Sequence, residues 1–331
     1  MNRWREEGAR ARGGSRSGRD DRGEESMTGV SRVSDATGVK EGSETSASAE
    51  GTRRAPGTAK TAGAGTDRSG GRPRTDLFRE VAAEWIRQSS LRSTWWAFGA
   101  ALAGMAVFAA LMGYTEWTRI MENPDEADGA AFMRLTSQGH FYLVQIAVLV
   151  MTALTATGEF GNRSVTSTLL WRPARGTVLV ARTLVSAGLA FAAGALATVT
   201  AVAVLSVFVG RYASADVAET LATSLNAGVC MALFAVLFVG IGTATRSMPG
   251  TFIVGFLLLM GLPMVMQLSQ VQMISDFAAL MPGTAGIEFY AGGDVGFYTA
   301  PHDGPVNIAA VVGWALAAQI VAHTELRVRD V

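Results

Sequence analysis

From Trp95 onward the chain carries six apolar runs separated by short polar segments. Each is near the roughly 20 residues that an α-helix needs to cross about 30 Å of hydrocarbon. They fall at about 95 to 113, 141 to 157, 183 to 209, 221 to 243, 250 to 268 and 305 to 323. The second is short unless its helix reaches back toward Ser137, and the third is long enough to tilt or to project beyond the bilayer. In lipid every backbone N–H and C=O must be paired within the protein, so a spanning segment is a helix or a strand of a closed barrel. None of these runs has the apolar–polar alternation of a barrel strand. The expected fold is an all-α integral membrane protein with six transmembrane helices.

The overall hydrophobic content of 49% conceals a division of the chain in two. Residues 1–75 hold 15 Arg or Lys and 11 Asp or Glu, diluted by Gly, Ser, Thr and Ala. Such a segment buries too little apolar surface to offset the entropy of ordering. It is expected to be a disordered cytoplasmic tail, with residues 76–331 forming the membrane domain. Its Arg-rich beginning is never followed by the apolar core of a secretory signal, and Met27 is an alternative start.

Several kinds of chemistry lack their residues. Cys230, the single cysteine, lies inside an apolar run and reads as a small buried hydrophobe. His140, His302 and His323 are far apart and have no i,i+4 partners, so no metal site is expected. The two lysines, Lys40 and Lys60, follow Val39 and Ala59, not a phosphate-cradling glycine loop. The chain is therefore not expected to be an enzyme: it has no catalytic residues, no cofactor of its own and no route to ATP hydrolysis by that loop.

Orientation follows from the arginines near the span ends, since no lysine occurs after Lys60. With the amino terminus inside, Arg79, Arg87, Arg92, Arg163, Arg172, Arg175, Arg182, Arg246, Arg327 and Arg329 are cytoplasmic. Only Arg119, Arg134 and Arg211 are then external, beside the acidic Glu116, Glu122, Asp125, Glu126 and Asp128. Both termini are expected in the cytoplasm.

Ahead of the first span, residues 76–92 read DLFREVAAEWIRQSSLR. At helical spacing Leu77, Phe78, Val81, Ala82 and Trp85 share one face, and Arg79, Glu80, Ala83, Glu84 and Arg87 the other. This pattern predicts an amphipathic helix in the membrane interface, with Phe78, Val81 and Trp85 at the headgroup boundary, Arg87 on the polar side, and Trp95 with Trp96 marking the span proper.

The most informative polar stretch runs from Gly158 to Arg182, GEFGNRSVTSTLLWRPARGTVLVAR, between the second and third apolar runs. Glu159 and Arg163 are spaced to pair along a helix for about 0.3–0.5 kcal/mol. Ser164, Thr166, Ser167 and Thr168 make a small polar surface ahead of Leu169, Leu170 and Trp171, suited to packing on a partner. Pro173 then breaks the helix, and Arg172, Arg175 and Arg182 hold the loop inside. The plainer reading is an ordinary positive-inside loop.

With these residues in view the chain, over about residues 77–331, resembles the permease subunits of ABC transporters of the type 2 exporter class, particularly the compact actinobacterial ones. Ala83 to Trp96, AEWIRQSSLRSTWW, looks like the family's opening. Gly158, Glu159 and Phe160, then Ser164 to Leu170, then Pro173, Arg175 and Arg182 stand where the family has Gly-Glu-aromatic, a short helix, a Pro-x-Arg turn and a basic residue entering the third span. Arg163, Ser164, Phe160 and Arg182 replace the family's usual glycine, threonine, tyrosine and lysine.

The resemblance implies an ATPase-coupling loop comprising Glu159, Phe160, Arg163, Ser164, Thr166, Arg172, Arg175 and Arg182. It also implies a separate cytoplasmic ABC ATPase that carries ATP and Mg, and a second permease copy, as a homodimer or with a related permease. The remaining partner is membrane lipid, with no nucleic acid, and the location is the bacterial cell membrane. The alternative reading is a non-transporting membrane accessory or immunity protein.

Within the membrane, small residues thin the third run at Gly188, Ala192, Gly194 and Ala195, and Gly240 with Gly242 close the fourth. Gly261 and Pro263 interrupt the fifth, a pattern that fits a kink or a half-helix. Gln145, Asn226, Gln267 and Gln319 are expected mainly as interhelical hydrogen-bonding groups. Between the last two spans, Leu280, Pro282, Gly283, Ala285 and Gly286 resemble the family's stretch of short helices that partly re-enter the outer leaflet. Phe277, Ile287, Phe289 and Tyr290 suit such immersion, and a surface loop is the other expectation.

Overall fold

The computed structural model describes residues 73–123, 130–161, 175–211, 216–269, 271–291 and 302–328, all within one compact unit, Asp67–Val331. Of the expected tail, residues 1–75, residues 1–72 lie outside them and 73–75 open the first helix. Every regular element among the described residues is helical. Helix α1, Pro73–Ser90, precedes α2, Arg92–Glu122. Helix α3, Ala130–Gly139, runs through a π-helical turn, His140–Val144, into α4, Gln145–Gly161. Helices α5, Arg175–Val209, and α6, Val217–Thr245, follow. Next, α7, Met248–Phe256, a second π-helical turn, Leu257–Gly261, and α8, Leu262–Gln267, form one rod. The short helices α9, Gln272–Ala279, and α10, Pro282–Ala291, lead to α11, Gly304–Val328.

Six of these helical rods are long and apolar enough to cross a membrane, and each contains one of the six apolar runs. The second does extend back past Ser137, to Phe132, by way of the π turn. Helix α6 is the centre of the bundle: 72% of its most apolar window is buried inside the protein, against 22% for α2, for the α7–α8 rod and for α11. Those three are the outer staves. The starts of α2, α5 and α7 share one end of the bundle with the ends of α4, α6 and α11. Gly242 of α6 lies against Ala156 of α4, and Gly176 of α5 against His323 of α11.

Local chemistry explains where the helices break. Leu91 takes an extended conformation between α1 and α2, and the Trp95 indole N–H donates to the Ser89 carbonyl at 2.8 Å, fixing the corner. Helix α6 starts under an Asp216 cap and ends at Arg246, whose φ of 52° is the left-handed conformation that terminates helices. Ser247 then caps α7, accepting from the Gly250 amide at 3.2 Å.

The Gly261–Pro263 interruption falls at the π turn, and the helix runs on beyond it to Gln267. The rod continues through the π turn, in which the Leu262 amide reaches the Leu257 carbonyl. Pro263 has no N–H to offer the Leu259 carbonyl. Helix α10 packs over that carbonyl, and only a glycine fits there, because a Cβ at Gly283 would lie 1.8 Å from Leu259 O. Among the described residues the segment between the last two spans thus holds two short helices, and α10 is buried within the protein along Pro282–Glu288. Ile287 and Tyr290 accordingly face protein rather than lipid, while Phe277 on α9 is exposed.

Of the expected polar contacts, the Gln319 amide donates to the Val236 carbonyl at 2.7 Å, tying α11 to α6. Gln145 is fully buried. His140, at the head of the first π turn, was not expected to matter. Its ring nitrogens lie 2.9 Å from the Thr136 carbonyl oxygen and 3.0 Å from that of Gly194, joining α3 to α5, and its ring rests near that of Tyr290.

Candidate functional site

Two pairs of residues, each one helical turn apart, face each other at the end of the bundle where α1 meets α5. On α1, Glu84 and Gln88 are spaced i,i+4; on α5, so are Arg182 and Ser186. The Arg182 Nε lies 3.6 Å from Glu84 Oε1. One turn along, Gln88 Nε2 donates to Ser186 Oγ at 3.2 Å, and Ser186 Oγ donates to Gln88 Oε1 at 3.3 Å. Within α1, Gln88 Nε2 also donates to Glu84 Oε1 at 2.8 Å. Arg87 Nε donates to Glu84 Oε2 at 2.8 Å, with a second guanidinium contact to the other carboxylate oxygen. A further bond from Arg182 NH1 to the Ala156 carbonyl, at 3.3 Å, brings in the last turns of α4. The ladder therefore ties together α1, α4 and α5.

Burial decides its strength. Only 9% of the Glu84 side chain and 7% of that of Arg182 are exposed. Burial pushes the Glu84 carboxyl up, but hydrogen bonds from Arg87 and Gln88 and the charges of Arg87 and Arg182 outweigh it, so the group sits below the usual carboxylate range. Breaking a buried pair by removing one partner costs about 3–5 kcal/mol.

The sequence sets Glu84 on the polar face of the amphipathic helix and Arg182 in the coupling loop, without pairing them. In the structure Glu84 and Gln88 are the buried side chains of α1, the carboxylate answering the buried guanidinium of Arg182, while Arg79 of the same polar face is exposed. The apolar side turns out: Phe78, Trp85 and Ile86 are exposed, and Val81 is half-buried against the core. Phe78, Val81 and Trp85 line the outer side of an apolar groove of about 570 Å³, closed on the inner side by Leu184, Val185 and Gly188 of α5.

The remaining members of the expected coupling loop flank this ladder in sequence. Glu159 and Phe160 belong to the last turn of α4 and Arg175 to the first of α5, with their side chains outside the described residues. Arg163, Ser164, Thr166, Arg172 and Pro173 lie outside the described residues altogether. Of the loop set, Arg182 is thus the residue whose contacts are visible. Sequence reasoning missed Glu84, Gln88 and Ser186 as a unit, although the matching i,i+4 spacings on two neighbouring helices were a usable signal.

Among the described residues no cluster of His, Cys, Asp and Glu could hold a metal ion. No known protein family matches the sequence, and no curated protein is significantly similar to it.

Proposed function

We propose that this chain is the transmembrane permease subunit of an ATP-driven exporter of the ABC type 2 class, coupled to a separate ATPase through the segment from Gly158 to Arg182. One observation carries the reading. That segment leaves and re-enters the bundle between α4 and α5, at the end where Arg182 ties both helices to α1. A force applied to such a loop would pass into α5 and α1 together, which is what a motor-driven change of access requires. The arginine excess supports a cytoplasmic position for this end, and the resemblance a bacterial cell membrane. With Glu84 and Gln88 on α5 and Phe78, Trp85 and Ile86 outward, α1 suits a position in the headgroup boundary. A pair of such chains would offer two equivalent loops to a two-fold ATPase dimer, which would bind the ATP and Mg.

The test is co-expression with the ATPase encoded by the neighbouring gene, followed by purification through a tag on this chain. ATP hydrolysis should co-purify and fall when Glu159 and Arg175 are changed to Ala, with the membrane protein still monodisperse. A well-folded chain that captures no ATPase would overturn the reading in favour of a non-transporting accessory role.

A further inference from the structure

At the end of the bundle opposite the Glu84–Arg182 ladder, α5 and α6 are joined through residues 210–216. The two helices are in backbone contact near their middles: a Cβ at Gly194 would lie 2.9 Å from the Ala227 carbonyl oxygen, and one at Gly228 3.1 Å from that of Phe191. Toward their joined ends they enclose an open groove of about 740 Å³. Its walls are apolar and turned outward, with Val207 81% exposed, Val217 80% and Leu221 59%. Two of its three hydroxyls are committed to the backbone, Ser224 donating to the Ala195 carbonyl at 2.9 Å and Ser206 to that of Val202 at 2.7 Å; the third belongs to Thr220, near the joined ends. The one charged residue lining the groove is Arg211, exposed, two residues beyond the end of α5, and unpaired among the described residues.

The geometry points to a binding site for an anionic phospholipid, one acyl chain lying between α5 and α6 and the phosphate on the Arg211 guanidinium. The apolar run of α5 ends at Val209, which sets Arg211 at headgroup level, where a guanidinium pairs with phosphate through two parallel N–H donors. A groove with apolar walls of this length and a single cation at its mouth matches an amphiphile of opposite charge better than a second protein chain, whose burial would strand that cation. The site lies apart from the coupling loop and does not depend on the exporter reading.

The full-length chain, purified and released from nanodiscs containing equal phosphatidylglycerol and phosphatidylcholine, should retain phosphatidylglycerol preferentially by native mass spectrometry. Arg211→Gln should lower that retention by about tenfold, the size of one charge-assisted contact, and leave phosphatidylcholine unchanged. Val207→Trp, at an exposed position, should fill the groove and reduce retention of both lipids, whereas Arg79→Gln at the other end should change neither. Equal retention of the two lipids by the unaltered chain, or unchanged phosphatidylglycerol retention in Arg211→Gln, would overturn the site. So would a Val207→Trp variant that alters oligomer mass while binding lipid normally.

Discussion

Neither α1 nor α10 is a spanning helix, α1 because it is too polar and α10 because it has only 10 residues, and they are held by opposite means. Helix α1 turns Glu84 and Gln88 inward and is fastened by a charged ladder, leaving Phe78, Trp85 and Ile86 exposed. Helix α10 is buried along its length and is seated by shape, glycine backbone against helix backbone and aromatic ring. An attachment made of charge responds to protonation and can be released without repacking a core. One made of steric fit has no such release. The molecule thus keeps its adjustable joint at the end where the segment 162–174 emerges, and its fixed joint where α10 packs.

The largest way to break this contrast is Gly283→Ala. The added methyl would meet the Leu259 carbonyl at 1.8 Å, a clash with backbone that no rotamer relieves, so α10 must leave its seat. The expected outcome is loss of monodisperse protein on size-exclusion chromatography. Next comes Glu84→Ala, which leaves Arg182 buried beside the vacated site and should cost about 3–5 kcal/mol, read as a lower unfolding temperature in detergent. Arg182→Ala should cost a similar amount, and the double variant should lose clearly less than the sum, because the two share one interaction.

The ladder also predicts a pH dependence for α1. The folded-state value of Glu84 lies below its unfolded value. Its contribution is therefore fully present above the unfolded value, about pH 4.3, and is lost as pH falls through the folded value. The gap in unfolding temperature between the unaltered chain and Glu84→Gln should narrow on acidification below about pH 4. A constant gap would show that charge does not hold α1. The smallest effect is expected at Gln319→Leu, which removes one hydrogen bond to the Val236 carbonyl and should cost about 1 kcal/mol.

The spans were legible in the sequence because length and apolarity alone decide whether a helix crosses a bilayer, and both are read directly from residues. The pairing on the inner side of α1 was not. A helical wheel separates Phe78, Val81 and Trp85 from Glu84, but it names no partner for that carboxylate, and the buried Arg182 that supplies one lies on another helix. The seat of α10 was hidden for another reason: Pro282, Gly283 and Gly286 suit short helices or a surface loop, and nothing local shows that the Leu259 carbonyl and the ring of Phe234 stand opposite them. For the coupling segment, composition located Gly158–Arg182, but the partner of Arg182 lies about a hundred positions earlier, and no local pattern joins them.

The π-helical turn at Leu257–Gly261 makes the fifth rod sensitive to length as well as to identity. Such a turn is an α-helix carrying one extra residue. Deleting a residue from Leu257–Gly261 would let the rod close into continuous α-helix without shortening its reach into the bilayer by more than about 1.5 Å. Because the turn already absorbs that residue locally, Pro263 and the residues beyond it would nearly keep their phase relative to α7. The same deletion inside Met248–Phe256 would instead rotate them by about 100° and carry the Leu259 carbonyl away from Gly283, so what a change in residue number does to this rod depends on whether it falls inside the turn or outside it.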